Sequence, residues 1–206
     1  MQLEKYIDFT CLKADATRAD IEKLCDTARR RGYANVCVNG AFVPMCAELL
    51  KGSGVGVACV VGFPLGAAAT EVKAFEAAKA VADGADEIDM VMAVGALKEG
   101  RLGYVADDIR AVGKACGKTL KVIIEECLLT ENEIAEAAEI CAASGADIVK
   151  TSTGFSRSGA TLRAVEIIKA HCGNCGIKAA GGIRDAETAR RFIAAGATRI
   201  GASAEL

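Results

Sequence analysis

The chain has 206 residues, 52% of them hydrophobic, with 25 basic and 27 acidic residues giving a net charge of −2. That length can bury one sizeable core, no apolar run approaches the roughly 18 residues of a membrane span, and the basic residues are too scattered for a nucleic-acid surface. The first residues, Met-Gln-Leu-Glu-Lys-Tyr, lack the basic-then-apolar order of a secretory signal, so the ten cysteines are expected as reduced thiols of a cytoplasmic protein, not as a disulfide scaffold.

Taken in chain order, eight short runs suited to strands fall near 6–10, 34–39, 57–63, 87–92, 121–126, 148–153, 177–181 and 199–203. A phrase recurs before four of them: Gly32-Tyr-Ala-Asn-Val, Gly84-Ala-Asp-Glu-Ile, Gly145-Ala-Asp-Ile-Val and Gly196-Ala-Thr-Arg-Ile. Alanine-rich amphipathic stretches such as 70–83, 131–143 and 186–195 lead into these phrases. Each glycine therefore reads as the left-handed residue that stops a helix. Helix, glycine stop and buried strand in alternation imply repeated βα units, about 22 to 34 residues apart, and eight of them imply an α/β fold, a compact (β/α)8 TIM barrel in a single domain over 1–206. A doubly wound open sheet is the alternative, disfavoured because no glycine-rich fingerprint follows the first strand. The last run ends close to Leu206, so the outer ring is expected to lack all or part of its final helix.

A barrel interior is normally filled with branched apolar side chains, yet several strands carry charge in mid-run: Asp8, Asp89, Lys121, Glu125, Lys150 and Lys178. Period-2 alternation lets Lys150 and Lys178 both point inward, on neighbouring strands. Desolvation and a nearby cation both lower a lysine's pKa, and a neutral amine is what attacks a carbonyl. The competing reading is that the lysines snorkel to solvent. Two on successive strands, with Asp89 at hand, favour chemistry, while Glu87 and Glu125 read as carboxylates partnering a lysine in the same interior layer. Three small-residue loops follow the last strands, Thr153-Gly154-Phe155, Gly181-Gly182-Ile183-Arg184 and Gly201-Ala202-Ser203. They lie at the face where barrel enzymes build sites, and amides at helix starts there can hold a phosphate; the glycines can also serve only to let strand and helix pack closely. Cys172 and Cys175 beside His171, the one histidine, form a weak zinc or redox signal and precede the seventh strand, at the face opposite the site.

These phrases together resemble the deoxyribose-phosphate aldolase family. The matching segments are Tyr6-Ile-Asp-Phe-Thr-Cys-Leu-Lys13, Val36-Cys-Val-Asn39, Val60-Val-Gly-Phe-Pro-Leu-Gly66, Glu71-Val-Lys-Ala-Phe-Glu76, Ala85-Asp-Glu-Ile-Asp-Met-Val91, Lys121-Val-Ile-Ile-Glu125, Val149-Lys-Thr-Ser-Thr-Gly-Phe155 and Gly181-Gly-Ile-Arg184. The resemblance implies reversible cleavage of 2-deoxy-D-ribose 5-phosphate to D-glyceraldehyde 3-phosphate and acetaldehyde, with no metal and no organic cofactor. By position it implies Lys150 as the Schiff-base lysine, Lys178 as its perturbing neighbour and Asp89 in the proton relay. It further implies Gly154, Gly181, Gly182, Gly201 and Ser203 as the phosphate cradle, with Asp8 and Cys37 lining the pocket. Small-molecule sugar phosphates and aldehydes are the expected partners, with no nucleic acid and no membrane, and association into a homo-oligomer is left open. A Schiff-base aldolase for another sugar phosphate and a non-catalytic sugar-phosphate-binding barrel are the alternatives. The chain departs from the family pattern at Phe9, where histidine is usual, at Glu126, where threonine is usual, and at Leu206, beyond which many relatives continue into a helix.

Overall fold

The computed structural model describes residues 2–206. Eight parallel strands close into a barrel in sequence order: β1 (Ile7–Cys11), β2 (Asn35–Val38), β3 (Gly56–Val61), β4 (Glu87–Val91), β5 (Thr119–Ile123), β6 (Ile148–Lys150), β7 (Gly176–Ala180) and β8 (Arg199–Ala202). The helices are α1 (Arg18–Arg31), α2 (Val43–Leu49), α3 (Thr70–Ala82), α4 (Val94–Lys98), α5 (Leu102–Cys116), α6 (Glu131–Ala143), α7 (Leu162–His171) and α8 (Ala186–Ala195). The short α4 and the longer α5 both lie between β4 and β5. No helix follows β8, as the sequence led one to expect, and residues 203–206 are irregular. None of the described helices is long and apolar enough to cross a membrane.

Local signals explain where the helices begin and end. Thr17 and Thr130 each form a capping box, with Asp20 and Glu133 respectively, satisfying amides that a helix start leaves unpaired. Gly32, Gly84, Gly145 and Gly196 all have positive φ, as the recurring phrase requires.

Alternation along the strands divides the molecule into two interiors. The outward residues Val36, Val38, Ile88, Met90, Val122 and Ile177 meet the helices in one large apolar core, whose burial supplies the main drive for folding. Inside the barrel the apolar filling is small and one-sided, formed by Leu12, Cys37, Ala58 and Val60. The other side of the barrel interior is occupied by charge, against the usual rule for such barrels.

Two strands end three residues earlier than their sequences suggest. β5 stops at Ile123 and β6 at Lys150, where runs to 126 and 153 are expected. At the end of the first, Glu125 has a φ of 54°, in the left-handed region, where regular pairing with β6 is interrupted.

Candidate active site

The register of the sheet sets Lys150 of β6 directly beside Lys178 of β7, both pointing inward and nearly or fully buried. Asp89 of β4 lies between them: its Oδ2 accepts from Lys150 Nζ and Lys178 Nζ, each at 2.8 Å. Its Oδ1 accepts from Lys121 Nζ at 2.7 Å. Lys121 also reaches Glu87 at 2.5 Å, and Lys178 makes a second, short bond to Asp8. The other oxygen of Asp8 accepts from Arg199 at 2.7 Å and from Asn35 at 2.9 Å. Arg199 then closes the loop onto Glu87 at 3.2 Å.

Counted as one body, this cluster holds three carboxylates, Asp8, Glu87 and Asp89, and four basic groups, Lys121, Lys150, Lys178 and Arg199. A largely buried cluster disfavours net charge because little water is there to solvate it, and with four basic groups against three carboxylates one basic group is in excess. Its identity follows from position. Lys178 is pushed down by burial but more strongly upward by Asp8 and Asp89, so it stays charged. Lys121 is likewise driven down by burial and held up by Asp89 and Asp8. Lys150 touches one carboxylate alone, already shared with two other lysines; burial and the Lys178 charge lower its pKa against the pull of Asp89. Asp8 and Asp89 are raised by burial, but the surrounding cations outweigh it and keep both far below the usual carboxylate range.

Above the cluster opens a cavity of about 610 Å³ lined by Lys150 and by Gly154, Gly181, Gly182, Gly201 and Ser203. The five residues expected at a phosphate cradle are thus together around the lysine. Asp8 and Cys37 are not on that wall: both are fully buried in the sealed interior, Cys37 with its Sγ 4.0 Å from Asp89. Burial, then Asp89, pushes the Cys37 thiol up, leaving it in the unreactive protonated form.

The glycines differ in what they do. A Cβ on Gly201 would lie 2.9 Å from Ala180 Cβ and 3.3 Å from Lys178 Cε, so this glycine makes room for the lysine. A Cβ on Gly181 would lie 2.8 Å from Gly159 Cα; the loops after β6 and β7 touch there, backbone to backbone. Gly182 has φ of 79° and open space where a side chain would stand.

At the N-terminus of α8 the Asp185 carboxylate caps one amide, accepting from Thr188 N at 2.7 Å, and no helix follows Ser203. Charge on the cavity wall comes from side chains. Lys13, Lys23 and Arg184 line it, and none is paired with a carboxylate among the described residues.

Glu87 does partner a lysine, but Glu125 does not: it bonds Thr153 through the backbone N–H at 3.1 Å and through a short contact to the hydroxyl. Phe9 faces the outer side of β1 against Tyr33, ring centroids 5.4 Å apart. Glu126 is buried beside Glu125 and Thr161, its Oε2 without a partner, and burial first of all raises its pKa to about 7. Cys172 and Cys175 donate to main-chain oxygens at the start of β7, and His171 pairs with Glu139 at 2.7 Å. Among the described residues no His, Cys, Asp or Glu side chains gather as a metal-ligand set. Sequence reasoning missed Asn35 and Arg199, although both occupy the same place in the recurring glycine phrase as Glu87.

Comparison with known proteins adds the chemistry of relatives. Residues 3–204 match the model of the DeoC/LacD family aldolases. The chain is 54% identical to the deoxyribose-phosphate aldolase of Streptococcus uberis, covering 99% of this chain and 94% of that one. It is 55% identical to deoxyribose-phosphate aldolase 1 of Bacillus licheniformis, covering 98% and 92%. Among solved structures, the tetrameric deoxyribose phosphate aldolase of Aeropyrum pernix superposes with a TM-score of 0.90 at 32% identity, over 98% of this chain and 86% of that one.

Proposed function

This chain belongs to the DeoC/LacD family of aldolases, and from that premise we propose that it cleaves 2-deoxy-D-ribose 5-phosphate reversibly to D-glyceraldehyde 3-phosphate and acetaldehyde, with Lys150 as the Schiff-base amine. The observation that carries the reading is the charge balance around Lys150. The cluster is neutral when Lys150 is uncharged, and burial with the Lys178 charge lowers the pKa of the amine facing the cavity, the direction that frees its lone pair for attack.

Lys150 Nζ attacks the aldehyde carbon of the open-chain sugar, and loss of water leaves a protonated imine. The hydroxyl on the third carbon gives up its proton, the bond between the second and third carbons breaks, and its electron pair moves into the imine to form an enamine. Protonation of the enamine carbon and hydrolysis then release acetaldehyde and restore the amine. Asp89 is the proton-relay residue in this reading because one of its oxygens touches both Lys150 and Lys178. Held ionised by the charged Lys121 and Lys178, it is a weak base, so it passes protons between the amines and solvent in the cavity more readily than it retains one. Lys178 keeps its charge and so adds to burial in lowering the pKa of Lys150. Amides of Gly154, Gly181, Gly182 and Ser203, with Arg184, Lys13 and Lys23, attract the phosphate; Gly201 contributes space.

The test is to reduce the chain with borohydride in the presence of acetaldehyde and map the peptides. The expected result is about one two-carbon unit per chain, on Lys150. Labelling elsewhere, or none, rejects the assignment. Turnover of 2-deoxyribose 5-phosphate against a panel of other sugar phosphates then separates this substrate from its relatives, and no turnover of any would leave a binding protein.

A further inference from the structure

Glu125 is the one non-glycine residue with positive φ among the described residues, at 54°. The left-handed conformation is disfavoured for an L-residue with a Cβ, and such strain persists only where surrounding contacts impose it. Its cause here is a slip in the β5–β6 ladder. Ile124 N donates to Lys150 O at 3.0 Å, and the next bond runs from Glu126 N to Thr151 O at 2.9 Å. Two residues are used on one chain against one on the other, as in a β-bulge, and the extra residue is Glu125. The bulge aims its carboxylate across the gap at Thr153, where it accepts from the backbone N–H at 3.1 Å and from the hydroxyl. With its proton so committed, the Thr153 hydroxyl accepts from Phe155 N at 3.0 Å.

We propose that Glu125 is a positioning residue for the carbon–carbon cleavage step: through Thr153 it fixes the cavity wall formed by residues 153–155, and so the orientation of a sugar phosphate over Lys150. The proposal rests on Lys150 being the Schiff-base amine. Thr153, Gly154 and Phe155 all line the cavity with Lys150, whereas a two-carbon aldehyde on Lys150 is too short to need that wall. The role therefore separates two reactions of one amine. Cleavage of the long substrate depends on Glu125, and imine formation with acetaldehyde does not.

The experiment compares wild type with Glu125→Gly and Glu125→Gln, each checked for native circular dichroism. Glycine accepts the left-handed backbone and keeps the bulge while removing the carboxylate. Glutamine keeps one acceptor atom where the carboxylate offers two. For Glu125→Gly, kcat on 2-deoxyribose 5-phosphate is expected to fall on the order of 10²-fold, while borohydride trapping of acetaldehyde on Lys150 stays within about threefold of wild type. Glu125→Gln is expected in between, about tenfold down in cleavage. Trapping that falls in step with cleavage would mean a general structural role, and cleavage that survives in Glu125→Gly would mean the carboxylate positions nothing; either overturns the proposal. A wild-type chain that traps nothing on Lys150 removes the premise, and that is seen before any variant is made.

Discussion

Two regions of this molecule bury lysine completely, and they use it differently. In the helix layer Lys73 of α3 donates to Asp108 of α5 at 2.6 Å and to the Val91 carbonyl at 3.1 Å, one cation to one carboxylate. In the barrel three carboxylates face four basic groups, and Lys150 is the one left in excess. Burial alone therefore does not mark a reactive lysine. What distinguishes Lys150 is the ratio of charges around it and an open cavity above it, for a buried amine with its own carboxylate has no reason to give up its proton.

That contrast can be broken most severely by removing Lys178. In Lys178→Leu three carboxylates face only Lys121, Arg199 and Lys150, so Lys150 becomes the cation the cluster needs. Imine formation near pH 7 should drop on the order of 10²-fold, and its pH optimum should rise by at least about one unit. A borohydride-trapping profile across pH measures both, and an active variant with the wild-type profile would contradict the charge-balance account.

Removing the lysine from the balanced pair should have the opposite pattern. Lys73→Met strands Asp108 in an apolar layer, at a cost of about 3–5 kcal/mol in urea melts, and Lys73→Met with Asp108→Leu should regain most of it. The kcat and pH profile of the folded single variant should remain within about twofold of wild type. If its pH profile moved like that of Lys178→Leu, the two regions would be electrically coupled and the contrast lost.

The smallest effect concerns a buried carboxyl with no cation at all. Glu126 keeps its proton up to about pH 7 in the folded chain, against an ordinary value of 4.5. Between those values the native state binds more protons than the unfolded one, so stability falls as pH rises through that window, and the full penalty is present above it. Glu126→Gln should accordingly stabilise the chain by roughly 1–2 kcal/mol at pH 8, and by little at pH 4. Thermal melts at the two pH values give the difference, and an equal gain at both would point to packing instead of charge.

Much of this was legible in the sequence because it is written in local periodicity. α6 and α8 begin and end at the residues where their alanine-rich patterns do, and the inward-pointing Lys150 and Lys178 follow from strand alternation. What could not be read depends on contacts remote in sequence. Whether Asp8 and Cys37 meet the cavity or lie beneath it is decided by closure of β1 against β8. The end of β5 hides in a run whose residue types suit a strand until Glu125 turns left-handed. Lys73 looks like any helix lysine until Asp108 is brought to it. Other signals were present and overlooked: Asn35 and Arg199 hold the same place in the repeated phrase as Glu87, and Asp185 with Thr188 has the spacing of an N-cap.

The buried charge cluster also bears on how the chain reaches this structure. Its bonds join residues as far apart as Asp8 and Arg199, 191 positions, and it draws on β1, β2, β4, β5, β6, β7 and β8. A chain that has assembled its first strands without β7 and β8 holds Asp8 against Asn35 and, at 3.7 Å, Lys121, lacking Lys178 and Arg199. Each such stranded charge would have to stay wet or bear several kcal/mol of desolvation. Open, partly closed sheets are thereby disfavoured relative to both the unfolded chain and the finished barrel. Folding is pushed toward a single all-or-none event in which ring closure and neutralisation of the interior happen together.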